Sequence, residues 1–182
     1  KKEGLDPKPE IMIPLVSVVA ELEKLRGVAE KTIAEVAEAE GVELEIPIGT
    51  MIELPRAAVT ADEIAARADF FSFGTNDLTQ TTFGFSRDDV EAEFVPQYLT
   101  EHLLPHNPFA TIDAGVAKLV KMGVQLGHEG NPDLVCGVCG EHGGDPDSIH
   151  TFNEIGLDYV SCSPYRVPVA RLAAAQAALA AK

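Results

Sequence analysis

Five short apolar runs alternate with segments of helical periodicity along this chain, and that alternation limits the folds available to it. The apolar runs are predicted strands and comprise residues 11–16, 46–53, 70–75, 134–139 and 159–163. The predicted helices comprise residues 21–40, 60–68, 111–126, 145–155 and the alanine-rich tail from 169. Strands that alternate with helices form parallel sheets through right-handed crossovers. Because the strands are apolar along almost their whole length, we expect both faces of the sheet to be covered.

Local signals mark several of the helix ends. Thr60 and Glu63 form a capping-box pattern at the start of the short second helix. Asp145 followed by Pro146 places an N-cap residue and a first-turn proline at the start of the fourth helix. Glycines suited to helix stops follow three of the segments, at Gly41, Gly127 and Gly156.

Two architectures fit this order of elements, a doubly wound sheet and part of a (β/α)8 barrel. Polar and chemically capable residues follow one strand after another, at 53, 75–77, 139–142 and 161–163. Barrel enzymes collect such residues from several strands at one face, which favours the barrel. A doubly wound nucleotide-binding sheet would show a glycine-rich turn after its first strand, and this sequence has none there. The segment 84–110 lacks a clear period and is either functional or a lid-like excursion.

The charge balance excludes several classes of partner. Lys and Arg number 14 against 29 Asp and Glu, which gives a formal net charge of −15. This excess repels nucleic-acid backbones and anionic membranes, so we expect neither as a partner. The sequence also lacks an apolar run of the ~20 residues that a membrane-spanning helix needs. An anionic substrate would therefore need a local cationic site, such as a metal ion or a few arginines.

Residues 1–10 are charged and contain two prolines, and we interpret them as a linker or as the start of a piece from within a longer protein. Residues 11–182 would then form the domain. Three cysteines are too few for a disulfide framework. We therefore expect a reducing, cytoplasmic location.

Glu53 and Asp77 are the candidate metal ligands. Each follows a predicted strand, and side chains at neighbouring strand ends of a parallel sheet converge on one rim. Mg²⁺ takes one or two carboxylates and completes its shell with water and substrate oxygens. The alternative is that each carboxylate caps a helix or pairs with a nearby arginine such as Arg56. A compact loop at 72–77 favours the metal, because Gly74 allows backbone amides to approach an anion closely.

Cys139 is the candidate acid–base residue, because a thiol at a strand end between glycines is exposed and can transfer a proton. The alternative is a buried apolar cysteine, which is the usual role of a free thiol. Cys136 and Cys139 also match half of a redox or zinc motif, but residues three apart on a strand point to opposite faces. We expect Cys136 and Cys162 in the core. His142 is either a second acid or base or, as we expect, a histidine near a helix start beside Asp145.

Four segments resemble the PEP-utilising enzymes, a family that includes pyruvate phosphate dikinase, phosphoenolpyruvate synthase and enzyme I of the sugar phosphotransferase system. They are Gly-Thr-Met-Ile-Glu53-Leu-Pro-Arg-Ala, Phe-Phe-Ser-Phe-Gly-Thr-Asn-Asp77-Leu-Thr-Gln, Cys139-Gly-Glu-His-Gly-Gly-Asp-Pro and Tyr159-Val-Ser-Cys-Ser-Pro. Three stretches are similar to the dikinase branch: Gly-Glu-His-Gly-Gly144, Phe-Gly-Phe-Ser-Arg-Asp-Asp89 and Pro168-Val-Ala-Arg-Leu-Ala-Ala-Ala-Gln-Ala-Ala. The resemblance extends over residues 10–182. Cys136 departs from the family pattern.

The resemblance implies a (β/α)8 barrel at the C-terminal end of a larger enzyme, the PEP/pyruvate-binding domain. This chain would be its last five β/α units, with three units absent. The implied reaction interconverts ATP, phosphate and pyruvate with AMP, pyrophosphate and phosphoenolpyruvate through a phosphohistidine on another domain. The implied roles are Mg²⁺ binding by Glu53 and Asp77, proton transfer by Cys139 at C3 of the substrate, and substrate binding by Glu53, Gly74, Thr75, Asn76 and Asp77.

The resemblance also implies partners. These are pyruvate or phosphoenolpyruvate, and the phosphohistidine and ATP-binding domains of the same full-length protein. Because the family's substrate arginines and its phosphohistidine motif lie outside this chain, we expect the chain alone to be inactive. Open edges of a five-stranded sheet favour pairing with a second copy or completion of a barrel, and we expect a homodimer. Two other functions stay open: a free-standing Mg²⁺-dependent aldolase or lyase acting through a pyruvate enolate, and a non-catalytic half-barrel module.

Overall fold

A computed structural model describes residues 3–181 of the chain. Its sheet has five strands: β1 (Ile11–Ile13), β2 (Ile48–Ile52), β3 (Phe70–Gly74), β4 (Val135–Cys139) and β5 (Tyr159–Val160). Each strand pairs in parallel with the next one along the chain. All five predicted strands are confirmed, although each is shorter than predicted. Residues 1, 2 and 182 lie outside the described part. The structure therefore describes the predicted linker and the predicted tail helix only in part.

The sequential strand order identifies the sheet as the wall of a barrel. A doubly wound sheet reverses its order at a switch point, whereas a (β/α)8 barrel runs in sequence. The sheet also curls. Burial raises the pKa of Tyr159 on β5, and the charge of Glu10, which precedes β1, raises it further. In a flat sheet, four strand spacings of about 4.8 Å would put about 19 Å between these edges, a distance at which an exposed charge is largely screened. The described residues thus form an open, curved wall.

The helices are α1 (Val19–Glu40), α2 (Pro55–Val59), α3 (Ala61–Ala65), α4 (Thr75–Phe83), α5 (Arg87–Val90), α6 (Val95–Thr100), α7 (Ala114–Gly130), α8 (Pro146–Ile155) and α9 (Val167–Ala180). The long helices α1, α7, α8 and α9 confirm the prediction. The predicted stop at Gly127 is wrong, because α7 continues for three more residues. Within residues 3–181, every helix is too short or too polar to span a lipid bilayer.

The local signals for helix starts have mixed outcomes. Asp145 caps α8 as predicted, by accepting a hydrogen bond from a first-turn amide. The capping box at Thr60 is wrong, because the Thr60 hydroxyl donates to the Arg56 carbonyl of the preceding helix at 3.0 Å. That helix, α2, is too short to show a period in the sequence, and its presence changes what the Thr60 side chain can reach.

The main apolar core lies between the convex face of the sheet and the helices. Its fully buried side chains from the sheet include Ile52, Phe71 and Phe73. Helix α7 approaches these rings closely because two of its residues, Gly123 and Gly127, have no side chain. A Cβ at position 123 would lie 2.8 Å from Cε1 of Phe73, and one at position 127 would lie 3.1 Å from Cε2 of Phe71.

The concave face of the sheet has a different character, and the expectation that both faces are covered is wrong for this chain. Met12, Val135 and Tyr159 on this face are 40%, 44% and 37% exposed. Here glycines alternate with large side chains across neighbouring strands, so that a Cβ on Gly137 would overlap the Tyr159 ring. This pattern is that of a barrel interior, in which layers of side chains fill the space between strands.

The long segment 84–110 folds around a small core of its own. Val90, Val95 and Phe109 are buried there, and Phe85 and Phe94 from the turns before α5 and α6, with Leu99 of α6, pack against them. After this segment, the Ile112 amide donates to Ser148 Oγ of α8 at 2.9 Å. The segment is therefore an ordered structure at the carboxyl face of the sheet, and its predicted function as a lid stays a prediction.

Replacing Gly123 by Ala is expected to lower the free energy of unfolding by about 1–3 kcal/mol, because the added methyl group forces the Phe73 ring or α7 to move. Gly27 in α1 is the matched control, since a Cβ there meets no atom within 4 Å. Gly27→Ala should raise the free energy of unfolding by about 0.4–1 kcal/mol through helix propensity alone. Urea denaturation followed by circular dichroism measures both, and equal stabilisation by the two changes would contradict the close packing of α7.

Candidate functional site

The carboxyl ends of β2, β3 and β4 place three predicted site residues in one row across the concave face. Gly74, the last residue of β3, is in register with Cys139 at the end of β4. On its other side Gly74 faces Glu53, because a Cβ on Gly74 would overlap the Glu53 carboxylate. One strand without a side chain at this level therefore separates Glu53 from Cys139. Two strand spacings of about 4.8 Å leave a hollow about 10 Å across between their backbones.

Glu53 is buried at the edge of this hollow, with 1% of its surface exposed. Its Oε1 accepts a 2.6 Å hydrogen bond from the amide of Leu15, in the loop after β1. Leu15 has a φ of 56°, a left-handed conformation that costs a residue with a side chain roughly 1–2 kcal/mol. Burial raises the pKa of Glu53, the Leu15 amide lowers it, and the charge of Asp77 raises it. A cation beside Glu53 would offset both the burial and the repulsion.

Asp77 lies in the first turn of α4, and its carboxyl group is within interaction range of Glu53. Gln80 Nε2 donates to Asp77 Oδ1 at 2.9 Å. The other end of the same amide, Gln80 Oε1, accepts from the Arg87 amide at 2.8 Å. Gln80 thus fixes one oxygen of Asp77 and joins it to the start of α5.

The compact loop predicted at 72–77 is wrong, because β3 runs to Gly74 and α4 begins at the next residue, Thr75. Gly74 has a φ of −79°, which any residue can adopt, so its requirement is spatial. Its missing side chain makes room for the Glu53 carboxylate. The amides in the first turn of α4 have no partner within the helix, and such amides can bind an anion.

Thr75 and Asn76 direct their side chains to the turn after β4. The Thr75 hydroxyl is fully buried and lies 2.8 Å from Nδ1 of His142. The Oδ1 atom of Asn76 accepts from the Glu141 amide at 3.0 Å. Contact of these two residues with a substrate, as predicted, would therefore involve mainly their backbone amides.

Cys139 is half-buried and free, and it faces the hollow. Burial raises the pKa of its thiol, the Ser72 hydroxyl lowers it, and the charge of Glu53 raises it. Their positions on either side of Gly74 direct the carboxylate and the thiol to the same hollow. Because its pKa is raised, the thiol is protonated near neutral pH and can act as a proton donor.

Ser72 and Tyr159 are site residues that the sequence reasoning missed. Ser72 on β3 and Tyr159 on β5 lie one layer below the row of Gly74 and Cys139, on the same face of the sheet. The Ser72 hydroxyl acts on both Cys139 and Tyr159, and in each case it lowers a pKa that burial raises. Alternation within the predicted strands was the available signal, since positions 72 and 74 must point to the same face.

The remaining cysteines and His142 are held by packing or by hydrogen bonds within the protein. Cys136 is fully buried on the opposite face from Cys139, as predicted, and burial raises its pKa to about 12. Cys162 is half-buried and packs against the small apolar cluster between α8 and α9. The prediction that it lies in the core is therefore only partly confirmed. His142 lies just before α8, within range of the Asp145 charge, as expected, and it is fully buried with both ring nitrogens engaged.

The donor set at the rim fits a hard divalent cation such as Mg²⁺. Within residues 3–181, no group of three or more His, Cys, Asp or Glu side chains could hold a metal, but Mg²⁺ needs only one or two carboxylates. One oxygen of each carboxylate is fixed by a donor, and the two groups face each other. Arg56, the alternative partner for these carboxylates, donates instead to the Ser17 carbonyl.

Comparisons with known proteins give a consistent assignment. Residues 2–179 match the family model described as PEP-utilising enzyme, PEP-binding domain. The chain is 56% identical over 179 residues to the chloroplastic pyruvate, phosphate dikinase of Flaveria bidentis, a match that covers 96% of this chain and 18% of that protein. It is 54% identical over 180 residues to the pyruvate, phosphate dikinase of Clostridium symbiosum, covering 98% of this chain and 20% of that protein. The chain therefore spans about a fifth of the length of these curated relatives.

A solved structure supports the fold. A citrate lyase from Burkholderia xenovorans LB400 superposes with a TM-score of 0.55 at 16% sequence identity, over 91% of this chain and 48% of that one. Such a likeness concerns the fold alone. It agrees with an open wall that forms part of a barrel.

Replacing Glu53 by Gln is expected to speed alkylation of Cys139 by iodoacetamide about two- to tenfold at about pH 8, because loss of the negative charge lowers the pKa of the thiol. Mass spectrometry of the peptide that contains Cys139 measures the rate. Glu141→Gln is the control, because Glu141 is close in sequence but its carboxylate lies 3.6 Å from Arg166. Equal rates in the wild type and Glu53→Gln would mean that the carboxylate and the thiol do not share a hollow.

Proposed function

The chain belongs to the PEP-binding domain family of PEP-utilising enzymes, and from this premise we propose that it is the C-terminal part of the PEP- and pyruvate-binding barrel of a pyruvate, phosphate dikinase. The row of Glu53, Gly74 and Cys139 at the carboxyl ends of three strands, with Asp77 above it, is the observation that carries the proposal. The full-length protein would convert ATP, phosphate and pyruvate to AMP, pyrophosphate and phosphoenolpyruvate, and the reverse, through a phosphohistidine on another domain.

The chemistry at this site is the conversion of pyruvate to a nucleophile. Pyruvate accepts a phosphoryl group on its C2 oxygen only after a C3–H bond breaks and the electron pair moves to that oxygen. The new O–P bond then forms as the P–N bond of the phosphohistidine breaks. Glu53 and Asp77 would hold Mg²⁺, which when bound supplies positive charge that stabilises negative charge on oxygen.

Cys139 would move the proton at C3. In the direction of pyruvate formation the thiol gives its proton to C3 of the enolate, and the raised pKa keeps that proton in place beforehand. In the direction of phosphoenolpyruvate formation the thiolate takes a proton from the methyl group. The hydroxyl of Ser72, which lowers the pKa of Cys139, offsets part of the cost of forming the thiolate.

The other predicted substrate residues would orient the substrate. The backbone amides from Gly74 to Asp77 lie at the N-terminal end of α4, where helix amides and the helix dipole favour an anion such as the pyruvate carboxylate. The Tyr159 ring lies against Gly137 and would form part of the floor of the hollow. We assign these roles to the amides and to the Tyr159 ring from their positions around the hollow.

The proposal extends to partners and location. The phosphohistidine and ATP-binding domains of the full-length protein would supply the phosphoryl group, so we predict that this chain alone does not turn over. A homodimer and a cytoplasmic location are part of the same proposal. Free cysteines, as found at all three positions, suit a reducing compartment. The name of the Flaveria relative includes an organelle, and cell fractionation would decide the location for this protein.

In the full-length protein, Cys139→Ala is expected to lower the rate of pyrophosphate formation from ATP, phosphate and pyruvate by about 10²- to 10⁴-fold, because the site loses the thiolate that takes the proton from C3 in this direction. Glu53→Gln should also lower it strongly, because a single carboxylate holds the cation weakly. Cys162→Ala is the matched control and should retain wild-type rates, since Cys162 packs between α8 and α9.

A single turnover of ATP and phosphate without pyruvate, which would take place on other domains and leave the phosphoryl group on the histidine, should still form AMP in all three variants. Wild-type rates with pyruvate in both Cys139→Ala and Glu53→Gln would refute the mechanism. Calorimetric titration with Mg²⁺ and oxalate, a mimic of enolpyruvate, separates the alternatives. Binding without any ATP-dependent reaction would favour a lyase, and no binding would favour a non-catalytic module.

A further inference from the structure

His142 is a buried titratable residue that the proposed mechanism does not use. It lies in a short turn of 3-10 helix, Glu141–Gly144, between β4 and α8, and it is fully buried. Its Nε2 lies 2.8 Å from the carbonyl oxygen of Pro108, and its Nδ1 lies 2.8 Å from Thr75 Oγ1. The ring thus joins three segments of the carboxyl face.

The chemistry of the partners fixes the tautomer of this ring. A carbonyl oxygen can only accept, so Nε2 must carry the hydrogen that bonds to Pro108. Burial lowers the pKa of His142, the Pro108 carbonyl raises it, and so does the charge of Asp145. With the ring neutral, Nδ1 has a free electron pair and accepts the hydroxyl hydrogen of Thr75. Each contact therefore has a defined direction.

The two segments that His142 contacts differ in how many other hydrogen bonds hold each of them in place. The segment near Pro108 is held also by Gln80, which accepts from the Arg87 amide, and by Ser148, which accepts from the Ile112 amide. Thr75 is the first residue of α4, and Asp77 is two residues further on. The buried Thr75 hydroxyl and the Asn76 side chain link this first turn to the 141–142 turn.

We infer that His142 is a positioning residue, whose hydrogen bond with Thr75 sets the first turn of α4 and thereby the position of Asp77 opposite Glu53. The inference rests on the proposed function for its effect on catalysis. Loss of the ring acceptor leaves a buried hydroxyl without its partner, and the first turn of α4 must shift or loosen to satisfy it. Asp77 then moves relative to Glu53, although His142 touches neither carboxylate.

Three substitutions in the full-length protein separate the two contacts. His142→Asn places an amide oxygen near the position of Nδ1 and can still accept from Thr75. His142→Gln places its amide nitrogen near the position of Nε2 and can still donate to Pro108. His142→Phe keeps a ring and loses both hydrogen bonds. His128→Asn, at the end of α7, is the matched control for a histidine away from this face.

Hydrogen exchange of a peptide covering residues 75–83, measured by mass spectrometry, should be faster in His142→Gln and His142→Phe than in His142→Asn and the control. Pyruvate-dependent pyrophosphate formation should fall about tenfold or more in the Gln and Phe variants, the factor expected for one lost buried hydrogen bond, with a smaller loss in the Asn variant. The reaction of ATP and phosphate without pyruvate should be unchanged in every variant. This last result shows that the other domains are intact.

Equal exchange rates in the Asn and Gln variants would overturn the inference, and so would equal pyruvate-dependent rates in an active enzyme. If the Phe variant does not fold, the comparison of Asn with Gln still decides. A wild-type protein without dikinase activity would overturn the proposed function, whereas separated exchange rates in the same protein would still support the role of His142 in placing α4.

Discussion

The absence of a side chain at Gly74 is the constraint on which the site depends. Gly74 ends the middle strand of the three that form the rim, and it lies between Glu53 on one side and Cys139 on the other. A methyl group there would occupy the position of the Glu53 carboxylate. Because the gap is there, a buried carboxylate and a thiol can face one hollow from two strands that are not neighbours. Glu53, Ser72 and Asp77 then surround a space suited to a small anion with a cation.

Keeping two carboxylates close together in a buried place costs free energy, and the surrounding structure compensates in specific ways. Leu15 takes a strained backbone conformation that directs its amide to Glu53. Gln80 donates to Asp77. The pKa of Glu53 stays raised despite its amide partner, chiefly because of burial. One oxygen of each carboxylate thus has a donor, and the raised pKa of Glu53 reflects burial and the charge of Asp77, an arrangement that suits a cation.

The sequence predicted the strands, their parallel order and the positions of Glu53, Asp77 and Cys139, because these follow from periodicity and from the ends of apolar runs. The surroundings of Thr75 and His142 could not be predicted, since their contact joins positions 67 residues apart. The start of α4 directly at Thr75 was also missed, because a strand that passes into a helix without a loop leaves no turn signal. Coverage of both sheet faces was inferred from apolar strands, yet a barrel interior imposes the same apolar pattern as a second layer of helices.

The location of a bound cation tests this account most directly. Crystals of the full-length protein soaked with Mn²⁺ and oxalate would reveal the metal by its anomalous scattering. We expect a peak at about 2.0–2.3 Å from one oxygen of Glu53 and one of Asp77, with the sulfur of Cys139 facing the oxalate from across the gap at Gly74. A metal bound away from both carboxylates, or oxalate bound on another side of the domain, would contradict it.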